Sequence, residues 1–251
     1  MTKFHYTLAF LILTSGVTLL YGYKVTSKGQ QKEAITAING KSTVEKDKEN
    51  SKRFTKYKTG QKLTDPAFLE QQSNEIVVTK APSIIDIPLE RKCPTYPLPA
   101  LVGLAYASDA IVIGTIKEKI TSQLTEDEDF LFSEYGVVVE DVIKNNPNAP
   151  ITLGSAISVI RPGGKVKLND KIINAVVHSF RPFLEGDRYL LYLKYIPETH
   201  SYQAFTNASF LIEGEVVKTP KMRLTEHNKQ AFITEVRDAV LGDHCQRVVL
   251  N

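Results

Sequence analysis

Arg161, Arg181 and Arg188 stand in two aromatic-rich stretches, RPGG (161–164) and FRPFLEGDRY (180–189), beside Phe180, Phe183 and Tyr189. Guanidinium groups interleaved with rings can stack on planar ligands, so this set could hold a sugar, a base or a peptide side chain. Arg161, Arg181, Arg188 and Tyr189 are therefore the candidate ligand-binding residues. Replacing Arg161 or Arg181 is expected to spare folding and abolish capture. The same residues also read as turn chemistry next to core aromatics.

Other residues that could do chemistry form weaker patterns. TEDEDF (125–130) brings Glu126, Asp127, Glu128 and Asp129 together, but a Ca²⁺ loop needs oxygens converging around a sharp turn, usually built on glycine, and none is near. A solvated acidic loop is expected there. The five histidines, His5, His178, His200, His227 and His244, lack the short regular spacings of metal sites. No metal and no cofactor is expected. There is no G-x-S-x-G, and Gly163-Gly164 lacks a phosphate-loop context. The reading is of a protein that is not an enzyme, with His178 and Asp187 as the pair a hydrolytic alternative would use.

The chain has two cysteines, Cys93 and Cys245. In an oxidising compartment an even pair implies a disulfide. A Cys93–Cys245 bridge would close a loop of about 150 residues, which in the chain-entropy picture contributes on the order of 4–5 kcal/mol.

These residues need a framework, and composition bounds it. Residues 1–80 carry 13 Lys/Arg against 7 Asp/Glu, while residues 81–251 carry 18 against 21. The basic character thus sits at the N-terminal side. A mildly acidic folded part argues against nucleic acid, which needs positive charge facing its phosphates. Thr7 to Tyr23 is mostly apolar and follows a lone Lys3. Residues 1–23 are expected to be an apolar helix acting as a signal peptide or membrane anchor, with the domain secreted or held outside the cytoplasmic membrane. Residues 24–80 are rich in Lys, Thr, Ser, Gln and Asn and are expected to be a polar flexible spacer.

Residues 81–251 change character. LPALVGLAYA (98–107) predicts a short helix with Pro99 near its start. DAIVIGTIKEKI (109–120) predicts a central strand covered on both faces. EYGVVVEDVIK (134–144), AISVI (156–160), KIINAVVHSF (171–180), DRYLLYLKYI (187–196) and SYQAFTNASFLIEGEVVK (201–218) predict further strands by alternation and turn signals. TEHNKQAFITEVRDAVLG (225–242) predicts a closing helix with Thr225 as N-cap and Gly242 beyond its end. The expected fold is mainly β with minor α: a small antiparallel OB-like β-barrel, flanked by a short N-terminal helix and a C-terminal helix.

ASDAIVIGTI, YGVVVEDVIK, RPGG, FRPFLEGDRYLLYL and SFLIEGEVV together resemble an uncharacterised family of exported bacterial domains. Members share an A-D-x-I-V-x-G-x-V strand, a V-E-x-V-L-K-G strand, a GG turn and an F-x-x-G-E-x-Y-L-L-F-L strand. The resemblance covers roughly residues 100–218, with Asn145-Asn146 and Asp187 departing from its pattern. Cys93 ahead of ASDAIVIGTI is more distantly similar to the start of netrin-like and metalloprotease-inhibitor domains, which are OB-type barrels. The resemblance implies an exported domain of barrel type; the function expected for it is that of a non-catalytic, extracytoplasmic binding module for a protein or glycan. A hydrolase or protease-inhibitor-like domain and a nucleic-acid-binding OB domain are the alternatives.

Overall fold

The β-branched run AIVIGTI, opening residues 110–124, forms the strand around which the rest is arranged. The structure, a computed structural model, describes residues 43–57, 59–71, 75–80, 100–177, 182–219 and 226–242. In chain order these hold helix α1 (Thr43–Lys52), a 3₁₀ turn (Thr55–Tyr57), α2 (Pro66–Gln71), β1 (Glu75–Lys80) and α3 (Ala100–Ala107). Then come β2 (Ala110–Leu124), β3 (Leu131–Lys144), β4 (Ala156–Pro162), β5 (Gly164–Leu168), β6 (Lys171–Val177), β7 (Arg188–Ile196), β8 (Ser201–Glu213), β9 (Val216–Lys218), β10 (Glu226–Asn228) and α4 (Lys229–Leu241). The fold is mainly β, as expected. Among the described residues no helix is long and apolar enough to cross a membrane. The apolar helix expected over residues 1–23 lies outside the described residues.

β2 pairs with β3 and β7, β3 with β4, β4 with β8, and β8 with β7, so five strands close a ring. Every ring pairing is antiparallel except β4–β8, which is parallel through Val159↔Tyr202 and Ile160↔Gln203. The exception follows from connectivity, because β5, β6 and β7 intervene and return the chain in the direction of β4. β9 and β10 extend the sheet outward from β8, and β1, β6 and β5 form a separate small sheet in which β1 runs parallel to β6. The β2–β3 register shifts at several points, including between Ile113 and Gly114. Such bulges sharpen the twist and let one long hairpin wrap a narrow ring. Gly114 is required there: a Cβ would stand 2.7 Å from Val137 Cγ1 and 2.8 Å from the Val138 carbonyl oxygen.

Alternation sends side chains to three separate cores. Val112, Ile116, Tyr135, Val137, Val159, Leu191 and Tyr202 fill the ring. On one outer side Ile111, Ile113, Leu190, Tyr192 and Phe210 meet α3 and α4 through Val102, Phe232 and Val236. On another, Phe130, Phe132, Ile160, Ile173 and Ile196 meet Phe54, Tyr57, Leu63 and Leu69. Asp109 pins the ring's seam, its carboxylate accepting from the Tyr195 N–H and from Lys194 Nζ at 2.8 Å each. Lys144 Nζ donates to the carbonyls of Ala105 and Ser108, satisfying the C-terminal end of α3.

Three expectations change. The compact unit begins at Thr43, so the spacer expected over 24–80 contributes from that point to the folded unit. Five of its apolar residues, Phe54, Tyr57, Leu63, Leu69 and Ile76, join the third core, while Val44 and Val77 stay exposed. The closing helix begins at Lys229 with Asn228 as N-cap, accepting from the Ala231 N–H at 3.0 Å, because residues 226–228 are held in β10. And β5, unforeseen after RPGG, is a strand pairing with β6.

Candidate ligand-binding face

Arg161 and Tyr189 come together, but inside the ring. On β4, Val159 and Arg161 point inward while Ile160 points out to the third core. The Arg161 guanidinium lies 4.1 Å from the centre of the Phe183 ring, and Phe183 in turn packs against Tyr135 and Tyr189 at 5.2 and 4.6 Å. Arg161 is only 3% exposed. Burial pushes its guanidinium down to about 10, against smaller opposing effects of Tyr135, Tyr189 and Tyr57. The cleft beside it, lined by Tyr135, Arg161, Gly163, Gly164, Val177 and Pro182, offers about 20 Å³. That is room for about one water, far below the several hundred Å³ of a small-molecule site. The cation here closes one end of the ring core with its aromatic neighbours.

Gly163 and Gly164 make that closure geometrically feasible. Gly163 has φ +90° and Gly164 φ +149°, and a Cβ on Gly164 would collide with Ser133 Oγ. Ser133 Oγ, 2.7 Å from Ser122 Oγ, donates to the Gly163 carbonyl at 2.8 Å. RPGG is thus the sharp exit from β4 into β5, locked to β2 and β3 by two serines.

Arg188 is elsewhere. Its Nε donates to Glu140 Oε2 at 2.6 Å, and Thr115 Oγ1 donates to the other oxygen of the same carboxylate. Arg181, His178, Cys93 and Cys245 lie outside the described residues, and with them the expected disulfide. Among the described residues no group of three or more His, Cys, Asp or Glu is placed to hold a metal.

The residues that converge on an outer face of the ring are different ones. That face is made by the distal part of β3, by β4, by the β2–β3 connection (125–130) and by the β7–β8 connection (197–200). Phe132 and Glu134 of β3 and Ser158 and Ile160 of β4 share it, since Glu134 pairs with Ile160 in register. Residues 43–57 and 59–63 lie along it. Phe54 stacks on Phe132 with centroids 5.3 Å apart and planes 13° from parallel, and Tyr57 stacks on Phe130 at 5.7 Å and 16°. Offset ring pairs of this kind add to the burial of each ring.

Charge complements the stacking. Lys46 Nζ is 2.5 Å from Glu134 Oε1 with both side chains nearly buried, and Ser158 Oγ donates to the same oxygen. At the rim, Lys48 faces Glu126, Arg53 faces Glu198 and Lys62 faces Glu128 at 3.7, 3.2 and 3.8 Å. Asn50 Oδ1 accepts from Thr199 Oγ1 at 3.0 Å, within reach of Ser201. Within the acidic connection Asp129 is built in, while Glu126 and Glu128 stay partly open to solvent at the rim. Asp129 accepts from the Thr59 and Gly60 N–H groups at 2.6 and 3.1 Å, and Glu128, at φ +59°, gives its carbonyl to the Leu63 N–H. Burial pushes the Asp129 carboxyl up, but the hydrogen bonds from Thr59, Gly60 and Gln61 outweigh it and hold it below the ordinary value. Asp47 goes the other way, raised chiefly by burial.

Sequence reasoning missed Lys46, Phe54, Tyr57, Glu134 and Glu198, and read Asp129 as part of a solvated loop. The one local signal was the pair Phe54 and Tyr57 in RFTKYKTG, three residues apart amid basic residues. No protein-family model matches the chain, and no curated protein matches it either.

Proposed function

We propose that the chain is a non-catalytic, extracytoplasmic binding module of OB-type architecture whose ligand is a polypeptide. The observation that carries this reading is the occupied outer face: a basic, aromatic stretch of chain sits across β3 and β4 between the 125–130 and 197–200 connections. Numbered within the ring, the strands follow the order first, second, third, fifth, fourth and back to first, with a parallel third–fifth pair, as in OB-type barrels. In that architecture the second and third strands and the loops after the first and fourth carry ligands. The corresponding positions here are β3, β4 and those two connections. Their acidic side chains, Glu126, Glu128, Asp129, Glu134 and Glu198, favour a cationic partner and disfavour a nucleic-acid backbone. The extracytoplasmic address rests on the apolar N-terminal stretch and on the resemblance of residues 100–218 to exported domains.

The test is a titration of full-length protein against three probes: a Lys/Arg-rich peptide with two aromatics three residues apart, a neutral oligosaccharide, and single-stranded DNA. Saturable, salt-weakened binding of the peptide alone is expected. Salt-dependent binding of the DNA with no response to the peptide would overturn the reading. Fractionation of the native host, expected to place the chain outside the cytoplasmic membrane, tests the address separately.

A further inference from the structure

We infer that residues 43–63 are a cis ligand, a detachable strap that masks the β3/β4 face until the basic, aromatic segment of a partner protein displaces it. The inference rests on the proposed polypeptide-binding function and names both the partner's chemistry and the means of regulation.

The strap is held as ligands are held. Its links to the ring run mainly through side chains: the Phe54–Phe132 and Tyr57–Phe130 stacks, the Lys46–Glu134 pair and the Asp129 clasp on Thr59 and Gly60. Among the described residues a single backbone-to-backbone bond joins strap and ring, from the Leu63 N–H to the Glu128 carbonyl; the Thr59 and Gly60 N–H groups reach the ring only through the Asp129 side chain. By contrast β1, further along the same stretch, is laid into a sheet with six paired positions on β6. One part of the N-terminal region is thus woven in, and the other is docked.

The docked part is poorly able to hold its shape alone. α1 has ten residues, TVEKDKENSK. That is shorter than the roughly 12–15 residues an isolated helix needs in water. Its order depends on the face beneath it, so it folds on docking and frays on release. Release would uncover Phe130, Phe132 and Ile160, all buried under it, ringed by Glu126, Glu128, Glu134 and Glu198. A competitor must therefore offer what the strap offers: two rings three residues apart with lysine or arginine on either side.

The test uses full-length protein and a fluorescent synthetic peptide of residues 43–65 as probe. Full-length Phe54→Ala/Tyr57→Ala should bind the probe at least tenfold more tightly than the unsubstituted protein, with binding weakened by salt. A variant that keeps a cooperative melt yet ignores the probe overturns the inference. Where that double substitution abolishes folding, Lys48→Glu/Arg53→Glu, the first exposed and the second half-buried at the rim, replaces it with the same two outcomes. Dimers of the variant that exchange straps, seen by light scattering, would overturn the assignment to a partner protein in favour of a second copy. Probe binding by a chain found in the cytoplasm would leave the strap standing and remove the extracytoplasmic function. A folded variant that ignores the probe but binds other peptides would do the reverse.

Discussion

Phe54 and Phe132 stack nearly parallel, 5.3 Å between ring centres, and so join the N-terminal strap to the outer face of the strand ring. Both rings are fully buried. Phe54→Ala removes one and leaves the other facing a void, which should cost about 3–5 kcal/mol in a denaturant melt. Phe54→Leu should retain more than half of that. An alanine variant as stable as the parent would mean the strap contributes no packing.

Lys46 and Glu134 form a nearly buried pair, so the two partners should not be separable. Lys46→Met leaves a carboxylate stranded in the interior and should cost about 3–5 kcal/mol. Lys46→Met with Glu134→Leu should recover much of the loss, since an apolar pair can replace a buried ionic one. The double-mutant cycle reads the coupling directly.

Acid should loosen the strap through Asp129. Its carboxyl is held below the ordinary value in the folded chain, so its stabilising contribution is complete above that value, near 3.8, and is lost as pH falls through the folded one. Asp47, raised by burial, contributes in the opposite sense. Asp129→Asn should therefore melt below the parent at pH 6, with the gap narrowing as pH drops below about 4. A gap independent of pH would contradict the assignment.

Arg161 answers differently from its appearance in the sequence. Because it closes the ring core, Arg161→Ala should destabilise the fold by about 2–5 kcal/mol through the cavity it leaves. Arg161→Met fills most of that space without a buried charge and should keep most of the stability. Equal loss in both would show that the guanidinium itself, over Phe183, is the greater part of the contribution.

What was legible in the sequence follows the range of each interaction. The strands of the ring show their two-residue alternation locally, so β2, β7 and β8 were readable from AIVIGTI, RYLLYLKYI and SYQAFTNASFLIE. The Gly163-Gly164 turn was also readable, since positive φ calls for glycine. β5 was not, because GKVKL is short and alternates with lysine and becomes a strand only by pairing with β6. The strap was invisible for the same reason at greater range. Its polar composition satisfies every criterion for a spacer, and Phe54 and Tyr57 acquire meaning only against Phe130 and Phe132, which lie far along the chain. Arg161 was recognised beside its aromatics but read as a ligand-binding candidate, since which face of β4 turns inward is set by its register with β3.

Native-state hydrogen exchange of the full-length protein tests the central claim most directly. If residues 43–63 are a docked ligand, the amides of α1 should exchange through a local opening of lower free energy and small denaturant dependence. Amides of β3 and β8 should wait for global unfolding. A single opening free energy shared by α1, β3 and β8 would make the strap an inseparable part of the fold and contradict the account.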